Sequence, residues 1–568
     1  MRWSPRWIQA LSLALLLGPV AFVFAQPQQR TNQLVAETNT RLTIADGTDW
    51  SFLGGQWTQD EQGVIRPPDG YTVHSRAFYT SDSYTDLTAE FEFNAVYGQQ
   101  CAGSAGLIIR AADAGHFYFV YFPWKGQQLR AKHFWAVIAK VEGDAYLCNL
   151  KAVWVPGVPS EVERWYKVRV QVEGAKISVW VNGRFALSVT DATYVSGRVG
   201  LAGYGGYSIQ NVTVRGTRVP PSPWNDAAQL RATLLEVGHD SQPMPTACVA
   251  PNGDVLIAGG DLIVRSVDQG RTWIEPVKLP EKLGGLSDYR NTMFATAQSR
   301  LIVMIYRGRH EIGKPKPEIL ISESPDNGHS WSDPVPSRVR DGWAETPTKL
   351  VAYGPLTETE DGTLLRFLRS DGFGDGEPQT WGAFNTRAFA IRSTDGGASW
   401  SAPIELDWPT WSSFRRPNAA EQRGKFLGSF DLSEATGVAI GNTITVLTRP
   451  SYSPMMWQCW SYDAGVTWDA AVRATFPGYA QSMIRTNSGA ILCAHRYPHY
   501  SVNVSYDNGV NWDAGTVIDY WDRGMGCLIE VEPDLVLCIY LKDDNMLNQP
   551  LLAQLIRVTP DGVYPVEH

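Results

Sequence analysis

The sequence predicts an all-β chain in two parts, a β-sandwich followed by a ring of six repeated antiparallel units. Three observations predict it. The pattern S-x-D-x-G-x-x-W occurs five times between Ser266 and Trp512, and recurrence at intervals of tens of residues marks a repeated supersecondary unit. Short apolar runs end in Gly, Asp and Asn turns, and long amphipathic helix patterns are hard to find. The composition, with 22 Trp, 23 Tyr, 20 Phe and 52 Gly, favours strands and tight turns. At 568 residues the chain exceeds one ordinary core, so two domains are expected.

The first 25 residues read as an export signal. Arg2 and Arg6 precede the apolar run Ile8 to Phe24, and Val23-Phe-Ala25 presents small residues for cleavage before Gln26. An uncleaved anchor is the rival; the Gly18-Pro19 break and the cleavage-like end favour removal, leaving no membrane segment. The expected location is therefore secreted, periplasmic or extracellular. Residues 26–40 are polar and read as a loose segment.

Residues 41–215 alternate as a sandwich does. Leu87-Thr-Ala-Glu-Phe-Glu-Phe93, Ala105-Gly-Leu-Ile-Ile-Arg110 and Phe117-Tyr-Phe-Val-Tyr-Phe122 are strands. Trp165-Tyr-Lys-Val-Arg-Val-Gln-Val172 and Ile177-Ser-Val-Trp-Val-Asn-Gly183 form a hairpin ending in Asn-Gly. Val199-Gly-Leu-Ala202 and Ile209-Gln-Asn-Val-Thr-Val214 close the set. This order and the W-Y-x-V-x-V…V-N-G-R stretch resemble the concanavalin-like jelly rolls, laminin-G-type modules included. The resemblance implies either glycan binding or a spacer role, and both stay open.

Residues 216–228, rich in Pro, read as a linker. From 229 to 568 six units follow, each with an inner strand, a second strand and usually the repeated octapeptide. Second strands include Leu301-Ile-Val-Met-Ile-Tyr306, Leu364-Leu-Arg-Phe-Leu-Arg369, Ile444-Thr-Val-Leu-Thr-Arg449 and Leu535-Val-Leu-Cys-Ile-Tyr540. The sixth unit lacks the octapeptide. Leu230-Arg-Ala-Thr-Leu-Leu-Glu-Val237, ahead of unit one, is placed to complete it and hide the open edges. A six-bladed β-propeller follows.

The octapeptide is read as structure. Its Asp accepts N–H groups of its own turn, its Gly adopts φ > 0, and its Trp plugs the sheet. Five complete copies resemble the Asp-box of the sialidase-like β-propellers, a resemblance that covers more than half the chain.

Chemistry is expected at the mouth formed by loops at the inner-strand ends. Arg369, Arg449 and Arg496 end the second strands of units three, four and five, and Arg307 stands similarly in unit two. Converging guanidinium groups would fork a carboxylate or sulfate; solvated strand ends or ion pairs are the equal alternative. Glu434 opens unit four, Glu345 precedes the inner strand of unit three, Asp240 and Gln242 precede that of unit one, and Asp288 with Arg290 opens unit two. Carboxyls there suit acid and base roles in glycosidic cleavage, or ordinary loop hydrogen bonds.

The sialidase resemblance implies three Arg for a substrate carboxylate, an Asp acid/base, and a Tyr nucleophile assisted by Glu. Ser433-Glu434-Ala-Thr to Leu447-Thr-Arg449 is similar to the family's Glu and second Arg, and Arg496 is placed like a third. Other positions depart. Pro243-Met244-Pro245 replaces the motif bearing the first Arg. The acid/base loop is reduced to Ala258-Gly-Gly-Asp261. Arg523-Gly-Met-Gly-Cys-Leu528 has no Tyr where the nucleophile is expected, and Tyr520 is in another register.

The resulting expectation is an exo-type glycoside hydrolase acting on an acidic or polar sugar. Glu434, Glu345 and Asp240 are its candidate carboxyls, and Arg449, Arg496, Arg369, Arg307 and Arg290 its substrate-holding cations. A binding-only propeller is the first alternative. A uronic-acid lyase using His310 or the His495-Arg496-Tyr497 and His499 cluster is the second, weakened because consecutive strand residues face opposite ways. The net charge of −9 shows no basic stripe, which argues against nucleic acid. No Cys/His spacing suits zinc, and no cofactor is expected. Of seven Cys, Cys101 and Cys148 could pair under oxidising conditions, while Cys248, Cys493, Cys527 and Cys538 read as buried small hydrophobes.

Overall fold

The computed structural model describes residues 35–44, 47–68, 75–95, 102–125, 134–142, 147–158, 164–203, 207–226, 235–241, 245–283, 291–307, 316–343, 350–370, 387–406, 432–449, 455–479, 482–496, 500–519, 525–541 and 549–566. They form an all-β structure with a single 3-10 turn at Glu281–Leu283. Among them no helix is long and apolar enough to cross a membrane. The proposed signal lies outside the described residues.

The N-terminal part is two-layered. The long strand Ser75–Ala95 joins the layers, pairing over Ser75–Tyr84 with Gly197–Gly203 and over Leu87–Asn94 with Trp165–Glu173. The core shows the period of two. Leu107, Ile109, Tyr118, Val120, Phe122, Ala136 and Ile138 point inward against Phe91, Phe93, Val168 and Val170. Their neighbours Ile108, Phe117, Phe119, Tyr121, Trp135 and Val137 form a second cluster on the opposite face. One layer is thus apolar on both faces, which is why Phe117 to Phe122 reads as an unbroken aromatic run. The strand Tyr207–Val219 extends this part into the segment read as a linker, and Arg198 donates through Nη2 to Ser222 O at 2.6 Å. Cys101 is outside the described residues, and Cys148 carries a free thiol.

Beyond residue 234 the strands form five separate antiparallel sheets of four or five strands, a short parallel pair of Arg338–Val339 with Ser399–Trp400, and a further antiparallel set, from Ser482–Arg485 to Thr516–Asp519, that is continuous with the sheet of the N-terminal part. Their inner strands are Thr246–Val249, Thr292–Ala295, Leu350–Glu358, Ala435–Ile440, Ser482–Arg485 and Gly526–Glu532. Each touches the next, and the last touches the first, so the sheets make a propeller-like ring, here called blades one to six. The sixth is completed by Leu235–Ser241, which pairs with Gln549–Thr559. Of the Leu230 to Val237 run expected to complete it, Leu235, Glu236 and Val237 lie in this strand, and residues 230–234 lie outside the described residues. The core lies between blades: Leu301, Val303 and Ile305 pack one way, and Ile302, Met304 and Tyr306 the other.

The five octapeptides share one geometry. In blade four, Gly465 N donates to Ser461 Oγ at 2.8 Å, Thr467 N to Asp463 Oδ1 at 2.8 Å, and Thr467 Oγ1 to Asp463 Oδ2 at 2.6 Å. Ala464 and Gly465 both have positive φ, 56° and 81°. Each octapeptide also braces the preceding blade. Arg265 of blade one donates to Asn327 O at 2.8 Å, Arg392 of blade three to Ala464 O at 2.5 Å, and Thr445 of blade four to Asn508 O at 3.2 Å. The repeat is a joint between blades.

Candidate functional site

The octapeptides lie where third strands end. Inner strands begin, and second strands end, at the opposite rim. There the backbone sets Glu434 across from Arg449: Arg449 N donates to Glu434 O at 3.0 Å, and Ser433 N to Arg449 O at 3.1 Å. Cross-strand neighbours have adjacent side chains. Arg449 Nη1 meets Glu434 Oε1 at 2.9 Å and Oε2 at 3.0 Å. Arg369, from the second strand of blade three, places Nη1 3.4 Å from Glu434 Oε1. In blade five, Arg496 N donates to Tyr479 O at 3.1 Å, and the Arg449 guanidinium carbon stands 4.4 Å from the Tyr479 ring centre.

The carboxylate is the covered member. The Glu434 side chain is 4% exposed, against 17% for Arg449 and 26% for Arg369. Burial by itself would raise the Glu434 pKa; the guanidinium groups of Arg449 and Arg369, with Arg496 further off, outweigh it and hold the carboxyl below its ordinary value. Burial acts against the charge of Arg449 as well, but Glu434 reverses this and its pKa rises. Tyr353, fully buried on the inner strand of blade three, lies in the same field. Burial first, then Glu434, pushes its phenol well above the ordinary value, so it remains protonated.

One ionised carboxylate stands among three guanidinium groups, and two of these cations, Arg449 and Arg369, reach solvent. An ionised Glu434 suits a base or a charge stabiliser and not a proton donor.

The structure thus brings together Glu434, Arg449, Arg369 and Arg496. Arg307 lies apart, half-exposed and 3.7 Å from Glu318 of the adjacent strand. Asp240 sits on the closing strand of blade six with its backbone opposite Pro550. Glu345, Arg290, Asp288, Gln242, His310, Tyr497, His499 and Tyr520 lie outside the described residues. Asp261 stands between the second and third strands of blade one, 3.8 Å from Lys278 with both side chains well exposed. His495 is buried, its Nε2 2.7 Å from Asn503 Oδ1.

Tyr353 and Tyr479 were not legible as site residues. Tyr353 sits in Leu350-Val-Ala-Tyr353, which reads as core, and only its hydroxyl in a buried run signals more. Along the ring axis runs a cavity of about 420 Å³, walled by Thr246, Met293, Leu356, Met483 and Leu528 among others; the Glu434 cluster does not line it. Among the described residues no three His, Cys, Asp or Glu gather as metal ligands.

Residues 43–215 match a family model described as a 3-keto-alpha-glucoside-1,2-lyase-like domain. No curated relative matches the sequence. Solved structures are similar at low identity, among them the following three. The NanB sialidase of Streptococcus pneumoniae is 11% identical, with 86% of this chain and 98% of that chain covered and a TM-score of 0.41. An α-L-arabinanase of Penicillium chrysogenum is 14% identical over 57% of this chain and 99% of that one, with a TM-score of 0.39. The carbohydrate-binding module CBM66 of Bacillus subtilis is 23% identical over 30% of this chain and 96% of that one, with a TM-score of 0.24.

Proposed function

We propose that the protein is a secreted glycan-active enzyme of the sialidase-like type, an exo-acting glycoside hydrolase whose substrate ends in an acidic sugar. The observation that carries this reading is the buried Glu434 carboxylate held by Arg449 and Arg369 beside Arg496. Arg449, Arg369 and Arg496 hold the anionic group of the sugar. Glu434 stays ionised, steadies the arginines and acts as base or charge stabiliser towards the reacting centre. The proton donor is one of the remaining carboxyls, Glu345 or Asp240. Six blades and a jelly-roll first domain belong to this reading, and the family match over 43–215 supports a saccharide context for that domain.

The test is turnover of a panel of oligosaccharides with neutral and acidic non-reducing ends. Acidic ends should be released preferentially. Glu434→Gln and Arg449→Ala should each lower kcat/KM by at least about a hundredfold, the scale of losing a charge-stabilising group. Unchanged turnover in both removes the site. Binding without product turns the reading to a lectin-like propeller, and a product absorbing in the ultraviolet turns it to a lyase.

A further inference from the structure

We propose that the sandwich is a fixed part of the candidate site: docked on blade five, it sets the position of Arg496 through Asn503 and His495. The coupling does not depend on which anion the arginines take; only its functional meaning rests on the reading above.

The docking is a continuation of the sheet. Leu147 and Cys148 of the sandwich strand Leu147–Val155 pair with Val517 and Thr516 of the outer strand of blade five. A strand edge that would otherwise stand open is thereby covered. Val517 is fully buried among the outward aromatics of the sandwich, including Phe117, Phe119, Tyr121 and Trp135. Asn149 clamps the joint. Its N–H donates to Gly515 O at 3.0 Å, its Nδ2 to Ala514 O at 3.3 Å, and its Oδ1 accepts from Tyr121 Oη at 2.8 Å.

The clamped segment continues into blade five. Asn503 Nδ2 donates to Asp513 O at 2.9 Å, which leaves Asn503 Oδ1 as acceptor for His495 Nε2 at 2.7 Å. Gly515 lies against the same amide: with φ +86°, a Cβ there would stand 2.9 Å from Asn503 Oδ1. Beyond Asn503 the His495 ring rests near Phe476, centres 5.6 Å apart. The next residue is Arg496, whose N–H holds Tyr479 O, and the Tyr479 ring underlies Arg449. Every step from Asn149 to the arginines is a hydrogen bond, a ring contact or an adjacent peptide. Asn149, Asn503 and His495 are positioning residues, since none of them meets the anion-holding groups' open side.

The test uses the full chain and two variants that disturb the relay from opposite sides, Asn149→Ala and Gly515→Ala. The first readout is modification of arginines by phenylglyoxal, mapped by peptide mass. Arg496 is 4% exposed, and loosening its strand should raise its labelling about tenfold in both variants, while Arg392 in blade three keeps its rate. The second is the His495 imidazole N–H resonance in histidine-labelled protein, which should shift in both. Unchanged Arg496 labelling and an unmoved His495 signal, with amide exchange faster only at 147–149 and 514–517, would overturn the proposal. Should a variant fail to fold, amide exchange in the unaltered protein decides. Residues 493–505 must then open together with 147–149 and 513–517; opening with blades one to three instead would also overturn it. Neither readout uses a sugar, so failure here is distinct from failure of the glycosidase reading.

Discussion

The two rims of the ring are made by the same strands and are built on opposite rules. At the octapeptide rim, each of five blades repeats the same Ser–Gly and Asp–backbone bonds and leans on the blade before it. At the other rim each blade differs: Glu434 opens blade four, Asn291 precedes the inner strand of blade two, and Met525 precedes that of blade six. Repetition is possible where the only task is joining blades. Because those joints hold the blades, the opposite rim can carry side chains chosen for charge and not for packing. Its buried carboxylate is costly in isolation and is tolerable only because the strands bring two guanidinium groups to it.

The largest effect should come from that rim. Arg449→Ala takes away the guanidinium nearest Glu434 and leaves Arg369 at 3.4 Å with Arg496 further off, and the expected loss is about 3–5 kcal/mol in denaturant unfolding, the scale for breaking a buried ion pair. Glu434→Gln should cost less, because the arginines it leaves behind reach solvent. A loss no greater than that of a surface pair, about 1 kcal/mol or less, would show that water reaches the carboxylate and that the rims do not differ in this way.

The joints come next. A Cβ at Gly465 would lie 2.4 Å from Leu365 Cδ2 on the preceding blade, and the backbone there is left-handed. Gly465→Ala should destabilise by about 2–4 kcal/mol, adding left-handed strain to overpacking. Gly270→Ala, whose Cβ would meet Leu537 at 3.1 Å, should cost less. Equal losses would mean that the turn conformation, and not the neighbouring blade, demands the glycine. Both variants should keep the ligand preference of the opposite rim.

This contrast also explains what the sequence could disclose. The joints are local, made of residues at most a few positions apart, so the same residue types recur and are seen without a structure. Glu434 and Arg449 were legible because a hairpin register places strand start opposite strand end. Tyr353 and Tyr479 come from blades three and five, on either side of blade four, and their approach to Glu434 and Arg449 depends on blade packing that no spacing encodes. Arg307 matches the other arginines in sequence register, yet among the described residues it pairs with Glu318 on its own sheet. The docking of Asn149 on Gly515 spans more than three hundred residues and leaves no sequence signal.

Within the joints, Ser461→Ala removes the acceptor of Gly465 N and should cost about 1 kcal/mol, as a single buried hydrogen bond does. Ser266→Ala and Ser505→Ala remove the same bond and should match it. A spread wider than that value would show that the five joints, though alike in geometry, carry unequal load.

The smallest effect is the most specific to the joint rim, because it follows a titration. Burial works against the Asp268 carboxylate, but Thr272 Oγ1, Thr272 N and Ser266 Oγ donate to it at 2.6, 2.8 and 2.7 Å, and its pKa is pushed down to about 2 from an ordinary 3.8. A folded value below the unfolded one means a stabilising contribution that is complete above about 3.8 and is lost as pH falls towards 2. Asp268→Asn should therefore be less stable than the parent at neutral pH, and the gap should close across that window. Thermal unfolding followed from pH 7 down to pH 2 reads the difference directly. A gap that persists unchanged at the acid end would mean that the side chain matters for its shape and not its charge, and the joint would then resemble the neutral packing between blades more than the charged rim opposite.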